Sequence, residues 1–86
     1  MHLIKNIIEI KPYKLLLEFT NGEIRSVDLE QRIMKRSQSP DSKYKDLIDK
    51  EYFSSVKLHP EWETIYWENG IDFCPDVLYM EGEPVN

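Results

Sequence analysis

Two phrases constrain this chain most: "FTNGE" at residues 19–23 and "WENGI" at residues 67–71. Each sets an aromatic residue two positions ahead of an Asn-Gly pair. Asn and Gly accept the positive φ that a type I′ turn demands, so each phrase predicts two antiparallel strands joined by a tight turn. Alternation supports the first. Tyr13, Leu15, Leu17 and Phe19 fall on one face at period two, with Lys14 and Glu18 on the other.

The neighbouring segments extend this pattern. Residues 3–10, "LIKNIIEI", are rich in β-branched Ile and predict a strand that Pro12 breaks. Residues 23–27 predict the returning strand. Asp28 is a good N-cap for a first helix, with Gln31 at the capping-box position and Leu29 and Ile33 on its apolar face. That helix stops in "SQSPD". Ser39 is expected to cap a second helix, with Pro40 at its first position and Asp41 near its positive end. Tyr44, Leu47 and Ile48 would form its apolar stripe, and "DKEYF" a turn or short helical extension.

Strand patterns return at residues 55–59 and 63–67, and Ile71–Phe73 follow the second turn as a short partner strand. Cys74-Pro75-Asp76 repeats the logic of Ser39-Pro40-Asp41 and predicts a last short helix, ended by Gly82. Residues 81–86 are expected to be a loose tail. An Asp falls six residues after each Asn-Gly glycine, at Asp28 and Asp76. Reuse of one hairpin-to-helix solution accounts for the likeness without duplication. The expected fold is α+β: one domain over residues 1–86, with a mainly antiparallel sheet and two or three short helices packed on one face.

Composition narrows the function classes. Of 86 residues, 41% are hydrophobic and 31% charged, the balance of a folded soluble domain. A chain this short has a small core and modest stability. No apolar run approaches the roughly 20 residues that span a bilayer. "MHLIKNIIEIKPYK" interrupts its apolar residues too often for a signal peptide, so a cytoplasmic location is expected. One cysteine allows no internal disulfide and no cysteine pair for a metal. Three scattered glycines make neither a P-loop nor a dinucleotide fingerprint. "ENGIDFCPD" lacks the dense acid spacing of an EF-hand. No cofactor or metal is expected.

Charge is unevenly placed. Every Lys and Arg lies at or before Lys57, so residues 1–57 carry +2 and residues 58–86 carry -7. Strands from the two parts can interleave and dilute this difference, the outcome expected for a small antiparallel fold. The other outcome is an acidic face that steers a basic partner.

The phrases "FTNGEIRSVDL", "YKDLID", "YFSSVKL" and "IYWENGIDFCPDVLY", in that order, resemble the bacterial family called domain of unknown function 2442. The stretch from Trp67 to Tyr79 carries most of the resemblance. It implies a compact α+β fold and no established catalytic residues. It also implies a neighbouring gene for another small protein, as in a toxin–antitoxin-like pair.

Three kinds of chemistry can be weighed on the residues. Cys74 precedes a predicted helix, which favours a thiolate, while Asp72 and Asp76 oppose it. A base would have to be His2 or His59, both distant in sequence. A structural or incidental Cys74 is expected and the chain is not expected to be an enzyme; Cys74 or a carboxylate as reactive group is the residual alternative. Arg32, Lys35, Arg36, Lys43 and Lys45, with Tyr44 among them, could contact phosphate in a DNA-binding accessory, against the acidic total. The third lead is the aromatics. Tyr66 and Trp67 point to opposite faces of a strand, so one is the more exposed. Trp62, Tyr66, Trp67, Glu68 and Asp72 are the expected partner-binding residues. The preferred expectation is a non-enzymatic domain that binds another small protein.

Overall fold

Ile4, Ile7 and Ile10 recur every three residues in strand β1 (Ile4–Lys11), a spacing that a regular strand would scatter over both faces. A computed structural model, which describes residues 2–85, shows how they stay together. β1 pairs antiparallel with β2 (Lys14–Phe19), setting Ile4 opposite Phe19, Ile7 opposite Leu17 and Ile10 opposite Leu15. β2 advances two residues for every three of β1. The register shifts between Ile4 and Asn6 and between Ile7 and Glu9 each absorb one extra residue as a β-bulge. All three isoleucines therefore face the side on which Leu15, Leu17 and Phe19 are buried.

The chain continues through β3 (Ile24–Asp28), α1 (Glu30–Arg36), α2 (Tyr44–Ile48), α3 (Lys50–Phe53), β4 (Lys57–Leu58), β5 (Ile65–Tyr66), α4 (Pro75–Glu81) and β6 (Glu83–Pro84). The main sheet has the order β1-β2-β3-β6, and β4 with β5 forms a second small sheet. The architecture is α+β with a mainly antiparallel sheet. Ile33 of α1, Leu47 of α2, Phe53 of α3 and Leu78 of α4 join Val27 and Trp67 in one buried cluster. The opposite sheet face carries Asn6, Lys14 and Glu83 and is open to solvent.

Both Asn-Gly hairpins exist, but not as type I′ turns. Phe19 N–H donates to the Glu23 carbonyl and Gly22 N–H to the Phe19 carbonyl; Trp67, Ile71 and Gly70 repeat the pattern. Only the glycines are left-handed, at φ 90° for Gly22 and 98° for Gly70. These are three-residue loops whose last residue takes the left-handed position. Each asparagine instead acts through its side chain. Asn21 Oδ1 accepts from Glu23 N–H at 3.0 Å and Asn69 Oδ1 from Ile71 N–H at 3.1 Å. The weak sequence likeness of the two phrases is thus a real likeness of geometry.

Other boundaries also differ from the sequence reading. Asp28 Oδ1 accepts from Glu30 N–H at 3.0 Å, as a cap should, but Gln31 makes no reciprocal bond among the described residues. Ser39-Pro40-Asp41 does not start a helix. Ser42 N–H closes a turn onto the Ser39 carbonyl at 3.1 Å, with Pro40 and Asp41 at the central positions that suit them. α2 starts four residues after Pro40, and Ser42 Oγ accepts from Tyr44 N–H at 3.1 Å. Cys74-Pro75 does start α4, with Pro75 in the first turn and no bond from the sulfur. The partner strand expected at Ile71–Phe73 reduces to a single bridge between Tyr66 and Asp72.

Two corrections concern longer reach. Tyr13 is not a strand residue; it holds the turn between β1 and β2 at φ 61°. That conformation is fixed from outside. Its carbonyl accepts from Leu29 N–H at 2.8 Å, its hydroxyl donates to the Ile48 carbonyl, and its ring packs edge-on to Phe53 at 5.8 Å. The expected loose tail at 81–86 is also corrected over Glu83–Pro84, which pair with Ser26 and Arg25 of β3. Gly82 makes this possible, because a Cβ there would lie 3.0 Å from both Arg25 Cβ and the Leu78 carbonyl oxygen. Residue 86 of the expected tail lies outside the described residues.

Candidate interaction face

The connection from β4 to β5 is six residues that fold back on themselves. His59 N–H donates to the Thr64 carbonyl at 2.8 Å and Glu63 N–H to the His59 carbonyl at 2.9 Å. Inside this loop His59 Nδ1 accepts from the backbone N–H groups of Glu61 and Trp62, both at 3.1 Å. His59 therefore plays the part that Asp or Ser plays in a side-chain-closed turn. Glu63 takes φ 51°, and its carbonyl accepts from Ile4 N–H at 2.8 Å, which ties the loop to β1. Thr64 Oγ donates to the Phe73 carbonyl at 2.6 Å beneath it.

This framework presents aromatic surface. The Trp62 indole stacks on the His59 ring at 4.1 Å and 9°, while Tyr66 meets the same ring edge-on at 5.3 Å. Trp62 is 60% exposed. Lys57 lies opposite Tyr66, and Tyr66 opposite Asp72, so the three share the outer face of the small sheet. Glu68 forms an ion pair with Lys57, and its hydrogen bond and charge raise the Lys57 pKa against partial desolvation. Four of the five expected partner-binding residues, Trp62, Tyr66, Glu68 and Asp72, are thereby joined in one continuous surface.

Trp67 is the exception and is corrected. It points inward from the strand, is fully buried, and donates from Nε1 to the Phe53 carbonyl at 3.0 Å. Phe53 and Phe73 flank it at 5.6 and 5.8 Å. The alternation that exposes Tyr66 is what buries Trp67.

The basic segment is only partly assembled. Arg32, Lys35 and Arg36 line one open groove with Gln31 and Glu81; Lys43 and Lys45 are exposed but do not line it. Arg32 is held by Glu81 in an ion pair, and Arg36 donates to the Tyr44 hydroxyl at 2.9 Å. The Arg32–Glu81 and Lys57–Glu68 pairs join the basic part of the chain to the acidic part. The pairing is incomplete, because Glu61, Glu63 and Asp72 have no ion-pair partner among the described residues.

Cys74 is exposed. His59 is bonded into its own loop, and the His2 ring stacks on Tyr79. Among the described residues no three His, Cys, Asp or Glu side chains gather as a metal ion would require.

Sequence reasoning missed a second cluster. The Tyr79 ring has His2 stacked on it at 3.6 Å and 8°, and the Arg25 guanidinium 3.8 Å from its centroid. Two groups that close to one centroid must occupy opposite faces. Arg25 also donates to the carbonyls of Tyr79 and Gly82, at 3.0 and 3.1 Å, and to Glu23 at 2.9 Å. The Tyr79 hydroxyl donates to Glu23. That bond chiefly holds the Glu23 carboxyl below its ordinary value, with burial opposing and Arg25 and Asn21 adding to the effect. The cluster locks α4 onto the first hairpin. Tyr79 lies more than 50 residues from Glu23 and Arg25 in sequence, so no local pattern announces the cluster.

The fold and this face define a small α+β domain whose hairpin loop displays a stacked aromatic pair bordered by acids. The chain belongs to the family described as protein of unknown function (DUF2442), whose model matches residues 4–84. No curated protein and no solved structure matches it. Among the described residues, no helix is long and apolar enough to cross a membrane.

Proposed function

We propose that this is a non-enzymatic interaction domain that binds another small protein through the Trp62 face. One observation carries the reading: Trp62 is 60% exposed and yet held in place, its indole stacked on His59 and its main-chain N–H bonded to that ring. A large aromatic held rigid loses little entropy on binding, which is the character of an interface anchor. The family likeness suggests a partner from the same two-gene, toxin–antitoxin-like module. The free, exposed Cys74 suits a reducing compartment, and we infer a cytoplasmic location.

Native mass spectrometry of the protein purified from its own cells tests this. A second small chain is expected with the wild type and not with Trp62→Ala, at unchanged melting temperature. No retained chain, or equal retention by the variant, would sink the reading. A second reading, DNA binding, draws support from Arg32, Lys35 and Arg36 sharing one groove. It is weakened by Glu81 and Tyr44, which occupy two of them. A DNA affinity that falls steeply with added salt would favour it.

A further inference from the structure

The two histidine-stacked aromatics of this molecule differ in one respect. Tyr79 has His2 on one face and Arg25 on the other, with the Glu23 carboxylate accepting from that guanidinium. Trp62 has His59 on one face at 4.1 Å, and its other face is open to solvent. The carboxylates are present here too. Glu61 and Glu63 flank Trp62 in the chain, Asp72 lies across from Tyr66, and none of the three is ion-paired among the described residues. Lys57 is engaged by Glu68, and Lys5, which lines a groove with His59 and Glu63, forms no ion pair with them among the described residues.

We propose that the partner presents an arginine that lies flat on the open face of the Trp62 indole, drawn there by Glu61, Glu63 and Asp72. This rests on the interaction reading and names the chemistry of its partner. Indole is the strongest aromatic platform for a cation. A planar guanidinium stacks on it and still directs its N–H groups sideways to carboxylates, which a lysine ammonium does less well. The Arg25–Tyr79–Glu23 arrangement is the same recognition made within the chain. The unpaired acids also give a reason for encounter, because like-signed surface charge left unneutralised steers a basic partner and makes its on-rate salt-dependent.

The test is an NMR titration of the full isotope-labelled chain with a blocked Gly-Arg-Gly-Arg-Gly peptide, and with versions carrying lysine or neutral citrulline for arginine. The Trp62 indole N–H should shift and saturate with the arginine peptide, while the buried Trp67 indole N–H serves as an internal reference. Lysine should bind several-fold more weakly and citrulline should leave Trp62 unmoved. The triple variant Glu61→Gln, Glu63→Gln, Asp72→Asn should weaken the arginine peptide by about fivefold or more, roughly the worth of 1 kcal/mol. Trp62→Leu, which keeps bulk and removes the π face, should abolish the response read at the Tyr66 amide.

An equal response to citrulline, no response at millimolar arginine peptide, or full binding by Trp62→Leu would overturn the proposal. A native complex that depends on Trp62, found together with an unmoved Trp62 in this titration, would overturn the arginine inference and leave the interaction reading standing. Arginine-peptide binding without any native complex would overturn the interaction reading and, with it, the partner arginine, leaving only a Trp62 surface that stacks guanidinium.

Discussion

The indole N–H of Trp67 and the main-chain carbonyl of Phe53 form a 3.0 Å hydrogen bond in the buried core, joining β5's hairpin to the end of α3. Trp67→Phe removes this donor and leaves the Phe53 carbonyl with only its bond from Val56 N–H at 3.2 Å, a cost of about 0.5–1.5 kcal/mol. Trp67→Ala adds a cavity and should cost about 3–5 kcal/mol. Trp62→Ala, five residues away on the exposed face, should stay within about 0.5 kcal/mol of wild type. Urea denaturation of the three variants reads the contrast; equal losses at Trp62 and Trp67 would contradict the placement of both.

Glycine matters at two positions for different reasons. Gly22 has φ 90° and open space within 4 Å of where a Cβ would stand, so Gly22→Ala meets only the conformational cost, about 1–2 kcal/mol. Gly82 has φ -75°, which alanine accepts, but its Cβ would crowd Arg25, Val27 and Leu78. Gly82→Ala should cost about 1–3 kcal/mol by overpacking and should expose the β3–β6 amides to hydrogen exchange. Gly22→Ala should leave exchange at Ser26 and Val85 unchanged.

Tyr13 reverses a familiar ranking. Tyr13→Ala and Tyr13→Gly both lose the ring on Phe53 and the bond to the Ile48 carbonyl. They differ in the left-handed backbone, where φ is 61°. The glycine variant should therefore be the more stable by about 1 kcal/mol, although glycine is the weaker residue in most folded segments. Denaturation midpoints decide the sign.

Glu23 makes the molecule sensitive to acid. Its folded pKa lies below the ordinary 4.5, chiefly through the Tyr79 hydroxyl. A depressed carboxyl stabilises the fold fully above its unfolded pKa and loses that contribution as pH falls through the folded pKa. The stability difference between wild type and Glu23→Gln should hold from pH 7 to pH 5 and shrink below 4.5. A difference that stays constant down to pH 3 would remove Glu23 from the acid response.

Short-range chemistry made much of this fold legible. Asn21-Gly22 and Asn69-Gly70 mark real hairpins, Pro75 marks the start of α4, and Leu15, Leu17 and Phe19 alternate as written. What stayed hidden depends on distant partners. Tyr13 belongs to the alternating series by pattern, and only Leu29, Ile48 and Phe53 pull it into a turn. Glu83 and Pro84 look like tail residues because their strand partners are nearly 60 positions earlier. At the candidate face, Trp62, Tyr66, Glu68 and Asp72 could be selected by residue type. The use of His59 Nδ1 as a turn-closing acceptor has no local signature.

The threefold isoleucine spacing of β1 has a consequence beyond its own core face. β1 is eight residues long, lies at the border of the main sheet, and leaves Ile8 and Ile10 exposed. Such a border is a template onto which a second chain can add hydrogen bonds. Here the ladder is interrupted near Lys5 and again near Ile8, so an incoming strand finds no regular run to register against. The residues that look surplus in the pairing are a defence against aggregation, and removing Ile8 would straighten the border at the cost of solubility.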